Sequence, residues 1–256
     1  PSGIRMPVNI PSATPRGTER RVNRQSSGAS TRCATGRSTR LFAIDSRVGR
    51  LRLHHAATRS HSVTGRVAIV SGRTIAEIDR ISDHALVSGS GVHGLERRLK
   101  DGSIERKTPD AGVAQALDAF EEFAADRPGV IVEDKGVSVG LHYRQAPDEA
   151  GAAKGLAAEL QAETGLTLQP GHMVLELKTP GADKGTAVTA FMQEAPFKGA
   201  VPVMLGDDLT DEYGFEAASA LGGYGVLVGP ERETAARYRL DDVDAVLTWL
   251  EAVAKA

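Results

Sequence analysis

Four carboxylates follow a short apolar run in the second half of the chain. The run Val201–Leu205 has the length of a buried strand and stops at Gly206. The acids come directly after it and are Asp207, Asp208, Asp211 and Glu212. Isolated carboxylates are costly to desolvate, and oxygen-only ligands suit Mg²⁺, which usually keeps several waters and adds a substrate phosphate. The segment Gly206–Glu212, called the acid loop below, therefore predicts a Mg²⁺-phosphate site at the mouth of an α/β sheet.

A second interpretation of the acid loop is a solvated acidic turn that caps the next helix. Thr210 would then be the N-cap, and acids in the first helical turn would interact favourably with the helix dipole. This segment by itself leaves both interpretations open.

Polar groups also follow other predicted strands of the chain. Asp45 ends the apolar run Leu41–Ile44, Ser71 and Arg73 follow Val67–Val70, and Lys184 opens a helical pattern. Open α/β sheets bind their ligands at the carboxyl ends of their strands, where these groups should meet. A carboxylate nucleophile, a hydroxyl, a lysine and metal-binding acids together supply what phosphoryl transfer needs.

The outer parts of the chain alternate between short apolar runs and helical patterns. The predicted strands there are 41–44, 66–70, 85–87, 201–205 and 224–228. Predicted helices begin near Thr74, Lys184, Asp211 and Val243. Such alternation is typical of a parallel sheet with crossover helices. Residues 41–107 and 179–256 are therefore expected to form one α/β core, with 46–65 irregular.

The central section, residues 108–178, has a different pattern. Its predicted elements are a helix at 113–125, a hairpin at 130–143, a helix at 148–163 and strands at 166–168 and 173–177. The sequence Asp134-Lys-Gly136 between alternating strands is good turn chemistry. We expect a compact α+β domain inserted into the core.

The overall composition is that of an ordinary globular protein. The chain has 256 residues, of which 41% are hydrophobic and 25% charged, enough for one large or two smaller domains. No apolar stretch approaches the length of a membrane span, so no membrane partner is expected. The single cysteine, Cys33, excludes an internal disulfide framework and a cysteine-rich zinc site. Such cysteine usage is consistent with a cytoplasmic protein.

The charge is divided unevenly along the chain. Residues 1–66 carry thirteen arginines, no lysine and two acids, a formal charge of +11, whereas the remainder carries −13. This basic part is open to three interpretations: a nucleic-acid-binding arm, an organelle-targeting segment, or a tail without a role. Because no aromatic residues are interleaved among the arginines, we expect no specific nucleic-acid partner. Residues 1–40 are predicted to be a disordered basic tail.

Five sequence motifs carry a family resemblance, and all of them lie within residues 66–229. They are Val67-Ala-Ile-Val-Ser-Gly-Arg73, Gly91-Val-His-Gly-Leu-Glu96, Val132-Glu-Asp-Lys135 with Leu141-His-Tyr-Arg144, Asp183-Lys-Gly185, and Gly206-Asp-Asp-Leu-Thr-Asp-Glu212. Together they resemble the haloacid-dehalogenase-like (HAD) phosphatases and, within that superfamily, the trehalose-6-phosphate phosphatases. The resemblance implies a Rossmann-like core with a parallel sheet and an inserted α+β cap.

The resemblance also implies a role for each candidate residue. Asp45 matches the nucleophile, Ser71 the phosphate-binding serine, and Lys184 the lysine that stabilises the phosphoaspartate. The implied metal ligands, for Mg²⁺, are Asp45, Asp207, Asp208 and Asp211. The implied substrate-binding residues, for a sugar phosphate, are Arg73, Glu133, Lys135, Arg144 and Glu176. An ordinary charged sheet surface is the alternative for the cap residues, and the role of His93 stays open between packing and catalysis.

The first motif of the family, which lies outside these five, is only partly matched. The first motif of the family is Asp-x-Asp-Gly-Thr, but Arg47 stands where its second aspartate belongs. A guanidinium does not release its proton near neutral pH, so it cannot be the general acid, whose contribution to rate is about 10²–10⁴-fold. Since residues 46–65 also lack the expected helical pattern, we hypothesise that much of 1–65 is read in an altered frame.

The resemblance therefore implies a Mg²⁺-dependent phosphatase that acts on trehalose 6-phosphate through an aspartyl-phosphate, and the missing acid implies that this chain is impaired. Two alternatives remain. One is a non-catalytic relative that binds a sugar phosphate. The other is a phosphatase for another sugar phosphate, such as sucrose phosphate.

Overall fold

A computed structural model of the chain describes residues 40–44, 66–84 and 88–255. The predictions for residues 1–39 and 45–65, which include Asp45 and Arg47, lie outside the described residues. The strand predicted at 85–87 lies outside them too.

The first part of the core contains five strands and one helix. In chain order they are β1 (Arg40–Ile44), β2 (Val67–Val70), α1 (Ile75–Ser82), β3 (Ser88–Gly91), β4 (Glu96–Arg98) and β5 (Ile104–Arg106). Helix α1 begins where the sequence predicts, because Thr74 and Glu77 form a reciprocal capping box. Strands β4 and β5 are absent from the sequence prediction. They are three residues long and largely charged, so they carry no apolar alternation.

The central section forms its own layer of two helices on a four-stranded sheet. Its elements are α2 (Gly112–Ala125), β6 (Ile131–Asp134), β7 (Ser138–His142), α3 (Ala150–Thr164), β8 (Thr167–Gly171) and β9 (Val174–Lys178). The sheet is antiparallel in the order β6-β7-β9-β8. The predicted hairpin is confirmed: Gly136 has a φ of +78°, and its amide donates to Asp134 Oδ1 at 2.7 Å. Residues 112–178 are called the cap below.

The chain then returns to the core for its last six elements. They are α4 (Lys184–Met192), β10 (Val201–Gly206), α5 (Glu212–Ala220), β11 (Tyr224–Val228), β12 (Tyr238–Leu240) and α6 (Val243–Lys255). The core sheet has the order β12-β11-β10-β1-β2-β3-β4-β5, and it is parallel from β12 to β3. The predicted α/β fold with a parallel sheet is confirmed. The short strand β12 was not predicted.

The core sheet is buried on both faces at its centre. Val203, Met204 and Leu205 of β10 are completely buried, as expected for a parallel strand covered by helices on either side. The cap has a separate apolar core, in which Phe120 of α2 packs with Leu141 of β7 and Leu177 of β9. Two independent cores keep two rigid walls in place, and the candidate site lies between them.

Strand register brings several carboxyl ends to one edge of the core sheet. Ile44 of β1 pairs with Leu205 of β10 on one side and with Ile69 of β2 on the other. The chain segments that follow β2 and β10, which carry Ser71 and the acid loop, therefore start at the same edge. This register is the physical basis for the predicted convergence of polar groups.

Within the described residues, no helix has both the length and the apolar character needed to cross a membrane.

Candidate active site

The acid loop is organised around the buried carboxylate of Asp211. One of its oxygens accepts a hydrogen bond from Lys184 Nζ at 2.7 Å. The other accepts the backbone amides of Asp207 and Asp208 at 3.0 and 2.9 Å. Gly206 is required next to it, since a Cβ there would lie 2.2 Å from Asp211 Cγ. The first role of Asp211 is therefore to hold the loop and the lysine in fixed positions.

Lys184 is the first residue of α4 and is almost completely buried. Its position is set by Asp183, whose carboxylate accepts the amide of Thr186 at 2.7 Å and so caps the helix. Removing one partner from a buried ion pair leaves an uncompensated charge, which costs about 3–5 kcal/mol. The Lys184–Asp211 pair is thus a structural anchor that fixes the Lys184 ammonium beside the acid loop.

The capping interpretation of the acid loop needs a correction. The residue that caps the short 3₁₀ turn Leu209–Asp211 is Asp208, whose carboxylate accepts the amide of Leu209 at 2.6 Å. Thr210, the N-cap of the next helix in that interpretation, is buried within this turn, and the N-cap position of α5 is Asp211, whose side chain does not cap the helix.

Ser71 directly follows β2 and is buried at the same edge of the sheet. Its amide donates to the carbonyl of Ser90 at 2.9 Å, and its hydroxyl accepts the amide of Arg73 at 3.0 Å. These bonds hold Ser71 at the start of a tight turn. Arg73 is partly exposed and contacts Glu77 at 3.4 Å.

The cap contributes a cluster of charged side chains from β6, β7 and β9. Lys135 Nζ donates to Glu176 at 2.9 Å and to the carbonyl of Gly72 in the core at 3.1 Å. The other oxygen of Glu176 accepts the hydroxyl of Ser138 at 2.7 Å. Burial works against the charged forms, but the contacts with His93 and Lys135 lower the pKa of Glu176, and the charge of Glu176 raises the pKa of Lys135. Both groups are therefore charged over the physiological range.

A second cap pair joins Glu133 and His142. The two side chains meet at 2.9 Å, and this hydrogen bond, together with the charge of Lys135, lowers the pKa of Glu133. The contact follows from register, because Ile131 pairs with His142 and Glu133 with Gly140, which makes Glu133 and His142 diagonal neighbours on one face. His142 was not predicted as a site residue, although it lies within the motif Leu141-His-Tyr-Arg144, which could have indicated it.

These two sets of side chains line one cavity of about 170 Å³ between core and cap. From the core it takes Ser71, Gly72, Arg73, Glu77, His93, Lys184, Asp208 and Thr210. From the cap it takes Glu133, Lys135, His142, Gln169, Pro170, Gly171, Val174 and Glu176. The structure thus brings most of the predicted core and cap residues to a single space.

Arg144 does not line this cavity. Strand β7 ends at His142, so Arg144 lies on the exposed segment beyond it, where its guanidinium donates to the carbonyl of His172 at 3.2 Å. Its assignment to substrate binding stays a prediction without geometric support.

The donor set at the acid loop fits a hard cation in its chemistry. Asp207 and Asp208 supply carboxylate oxygens, the ligand type that Mg²⁺ prefers. Within residues 66–84 and 88–255, no three His, Cys, Asp or Glu side chains are grouped so as to hold a metal ion. The predicted ligand set also includes Asp211, whose two oxygens contact Lys184 and the loop amides, and Asp45, which lies outside the described residues.

The fold of the chain, a parallel α/β core with an inserted cap, is shared with solved structures of other proteins. The fold matches a phosphatase of the haloalkanoate (HAD) enzyme superfamily from Bacteroides thetaiotaomicron, with a TM-score of 0.57 and 17% identity over 89% of this chain and 99% of that one.

The particular family follows from the sequence comparisons. The family model "Trehalose-phosphatase" matches residues 58–244, and the chain belongs to that family. It is 42% identical over 194 residues to the trehalose-6-phosphate phosphatase of Escherichia coli K12, covering 75% of this chain and 73% of that protein. The C-terminal domain of the Candida albicans trehalose-6-phosphate phosphatase has the same fold, with a TM-score of 0.69 and 21% identity over 85% of this chain and 93% of that one.

Some other relatives are longer, and this chain covers 65% of one and 51% of another. The family match begins after Asp45 and Arg47, so the departure in the first motif stands apart from it.

Proposed function

We propose that the chain is a Mg²⁺-dependent phosphatase whose substrate is trehalose 6-phosphate. The observation that carries this proposal is the single cavity that holds Ser71 and Lys184 on one wall and Glu133, Lys135 and Glu176 on the other. A phosphorylated sugar has one end to match each wall: an anionic phosphate group and a sugar rich in hydroxyl groups. Membership of the trehalose-phosphatase family supports the choice of sugar.

The phosphate end of the substrate belongs at the core wall. The Ser71 hydroxyl and the Lys184 ammonium are donors suited to phosphoryl oxygens. Asp207 and Asp208 of the acid loop, with Asp45, would hold Mg²⁺, which when bound offsets the negative charge of the phosphate. Because Asp211 fixes both Lys184 and the acid loop, these groups keep one spacing.

The sugar end belongs at the cap wall. Carboxylates of Glu133 and Glu176 can each accept paired hydroxyls, and Lys135 can donate to a hydroxyl or phosphate oxygen. All three carry charge, so their hydrogen bonds to a sugar are of the stronger, charge-assisted kind. Lys135 also contacts the core at Gly72, which sets the distance between the two walls.

The covalent step falls to Asp45. Its carboxylate oxygen attacks phosphorus, the bond from phosphorus to the sugar oxygen breaks, and that oxygen takes up a proton from solvent water. Water then attacks the aspartyl-phosphate, which releases phosphate and restores the carboxylate. Arg47 cannot supply the proton that the sugar oxygen needs, so we expect slow turnover, by about 10²–10⁴-fold relative to a chain with the acid.

The test is Mg²⁺-dependent phosphate release from trehalose 6-phosphate by the wild-type chain, Asp45→Asn and Arg47→Asp. We expect a low wild-type rate, none with Asp45→Asn, and a gain with Arg47→Asp. A panel that includes sucrose phosphate checks the choice of sugar. A faster rate on another sugar phosphate would overturn the assignment of trehalose 6-phosphate.

Arg47 favours a second candidate function, a sugar-phosphate-binding protein without turnover. Calorimetric binding of trehalose 6-phosphate, with no phosphate release from any of the three chains, would establish it in place of the phosphatase.

A further inference from the structure

His93 is a buried histidine of the core whose ring faces the cap. It lies in the 3₁₀ turn Val92–Gly94 and has left-handed backbone angles, φ 53° and ψ 36°. Its amide donates to the carbonyl of Ser71 at 2.9 Å. Its ring lies against Gly72 so closely that a Cβ at that glycine would come within 2.5 Å of Nε2. The ring therefore occupies a position fixed by the turn that carries Ser71.

The His93 ring nitrogen faces Glu176 of the cap. His93 Nε2 lies 3.6 Å from Glu176 Oε2, just beyond hydrogen-bond length, and both side chains are buried. The same oxygen accepts Lys135, while Oε1 accepts Ser138. Two hydrogen-bond donors from the cap and the ring nitrogen of His93 from the core thus lie close to one carboxylate.

The His93 ring is suited to act as a neutral hydrogen-bond donor. Burial lowers the pKa of His93, Glu176 opposes that effect, and Lys184 and Lys178 add to it. A neutral imidazole has one N–H, and Nδ1 has no hydrogen-bond partner within the described residues. The nitrogen that faces the carboxylate, Nε2, is then the better place for the proton.

We propose that His93 is a positioning residue that holds the Glu176 carboxylate in the orientation needed to accept sugar hydroxyls. The proposal rests on the proposed function, because it concerns the sugar end of that same cavity. A mere packing role would not call for a polar ring whose nitrogen faces a carboxylate. The contact also links sugar recognition to the turn that carries Ser71.

The first test compares two ligands by isothermal titration calorimetry without Mg²⁺. Trehalose 6-phosphate reports on both ends of the cavity, and inorganic phosphate reports on the core wall alone. His93→Asn keeps a residue that tolerates left-handed angles but is too short to reach Glu176. We expect about tenfold weaker binding of trehalose 6-phosphate and unchanged binding of phosphate. His93→Gln, whose longer amide can donate to Glu176, should recover part of the loss.

Controls separate positioning from damage to the fold. His172→Asn, at an exposed histidine, should bind both ligands like the wild type. Thermal unfolding of each variant checks that it folds. Wild-type affinity of His93→Asn for trehalose 6-phosphate would overturn the proposal, and so would equal weakening of both ligands.

A double-mutant cycle distinguishes a positioning role of His93 from a structural one. If His93 acts through Glu176, then His93→Asn should change the affinity for trehalose 6-phosphate by less than about twofold in a Glu176→Ala background. An undiminished loss in that background contradicts the proposal. If the wild-type chain binds phosphate but no trehalose 6-phosphate, the proposed function itself fails, and this outcome is distinct from either result for His93.

Discussion

The two walls of the cavity are built by different means. On the core wall, Lys184 and Asp211 are almost completely buried, and backbone amides of the acid loop complete the arrangement. On the cap wall, side chains pair with side chains on an antiparallel sheet, and Glu133 and His142 are each more than one third exposed. Groups fixed by backbone and burial keep one geometry, whereas paired side chains can exchange partners for a ligand. The difference agrees with the proposed division, in which the core supplies the chemistry and the cap determines the choice of sugar.

The largest effect is expected at Lys184 and tests whether the core wall is held in one geometry. Lys184→Met should destabilise the fold by about 3–5 kcal/mol, because it leaves the buried Asp211 carboxylate without its cation. Urea unfolding measures the loss. Phosphate release should vanish for trehalose 6-phosphate and equally for p-nitrophenyl phosphate, which has no sugar. The matched control is Lys198→Met at an exposed lysine, and a Lys184 variant as stable as that control would show that the core wall is not locked by this pair.

The next effect is expected at Glu176 and should be selective. Glu176→Gln removes the charge that Lys135 contacts and weakens charge-assisted acceptance of sugar hydroxyls. We expect KM for trehalose 6-phosphate to rise about 10- to 100-fold, equivalent to about 1.4–2.7 kcal/mol, while turnover of p-nitrophenyl phosphate stays unchanged. Glu159→Gln on the exposed face of α3 should leave both unchanged. Equal losses on the two substrates would mean that the cap wall takes part in the chemistry.

A smaller effect should appear in the pH dependence of stability. Since His142 lowers the pKa of Glu133 below its ordinary value of 4.5, the ionised carboxylate stabilises the fold above that pH. The contribution is lost as the pH falls through the lowered pKa. Glu133 is partly exposed, so we expect less than about 1 kcal/mol. Urea unfolding of wild type and Glu133→Gln should therefore differ at neutral pH and converge in acid; a difference that grows in acid would refute it.

The smallest effect is expected at Arg144. Because its guanidinium contacts the carbonyl of His172 outside the cavity, Arg144→Ala should change KM for trehalose 6-phosphate by no more than about twofold. Steady-state kinetics decide the matter. A tenfold or larger rise in KM would place Arg144 at the sugar after all and extend the cap wall beyond β7.

Local sequence patterns were sufficient for most of the elements. The runs of β2 and β10 are apolar because both faces are covered, and the cap hairpin is marked by its Asp-Lys-Gly turn. Strand β3 was missed because its sequence, Ser-Gly-Ser-Gly, has no apolar run. Strands β4, β5 and β12 were missed because three-residue strands that carry charges lack any readable period. They exist because the edges of the larger sheet offer them backbone partners.

The sequence by itself determined the alternation of strands and helices, the motif that forms the acid loop, and the kinds of side chain available for phosphate and sugar. Only the tertiary structure decided which of them meet. Lys184 contacts Asp211 across 27 residues of chain, and Lys135 contacts Glu176 across 41. The same structure placed Thr210 inside the turn that Asp208 caps and left Arg144 outside the cavity. The physical reason is that spacing along a chain sets only local periodicity, whereas contacts between distant residues depend on strand order, register and the packing of the two cores.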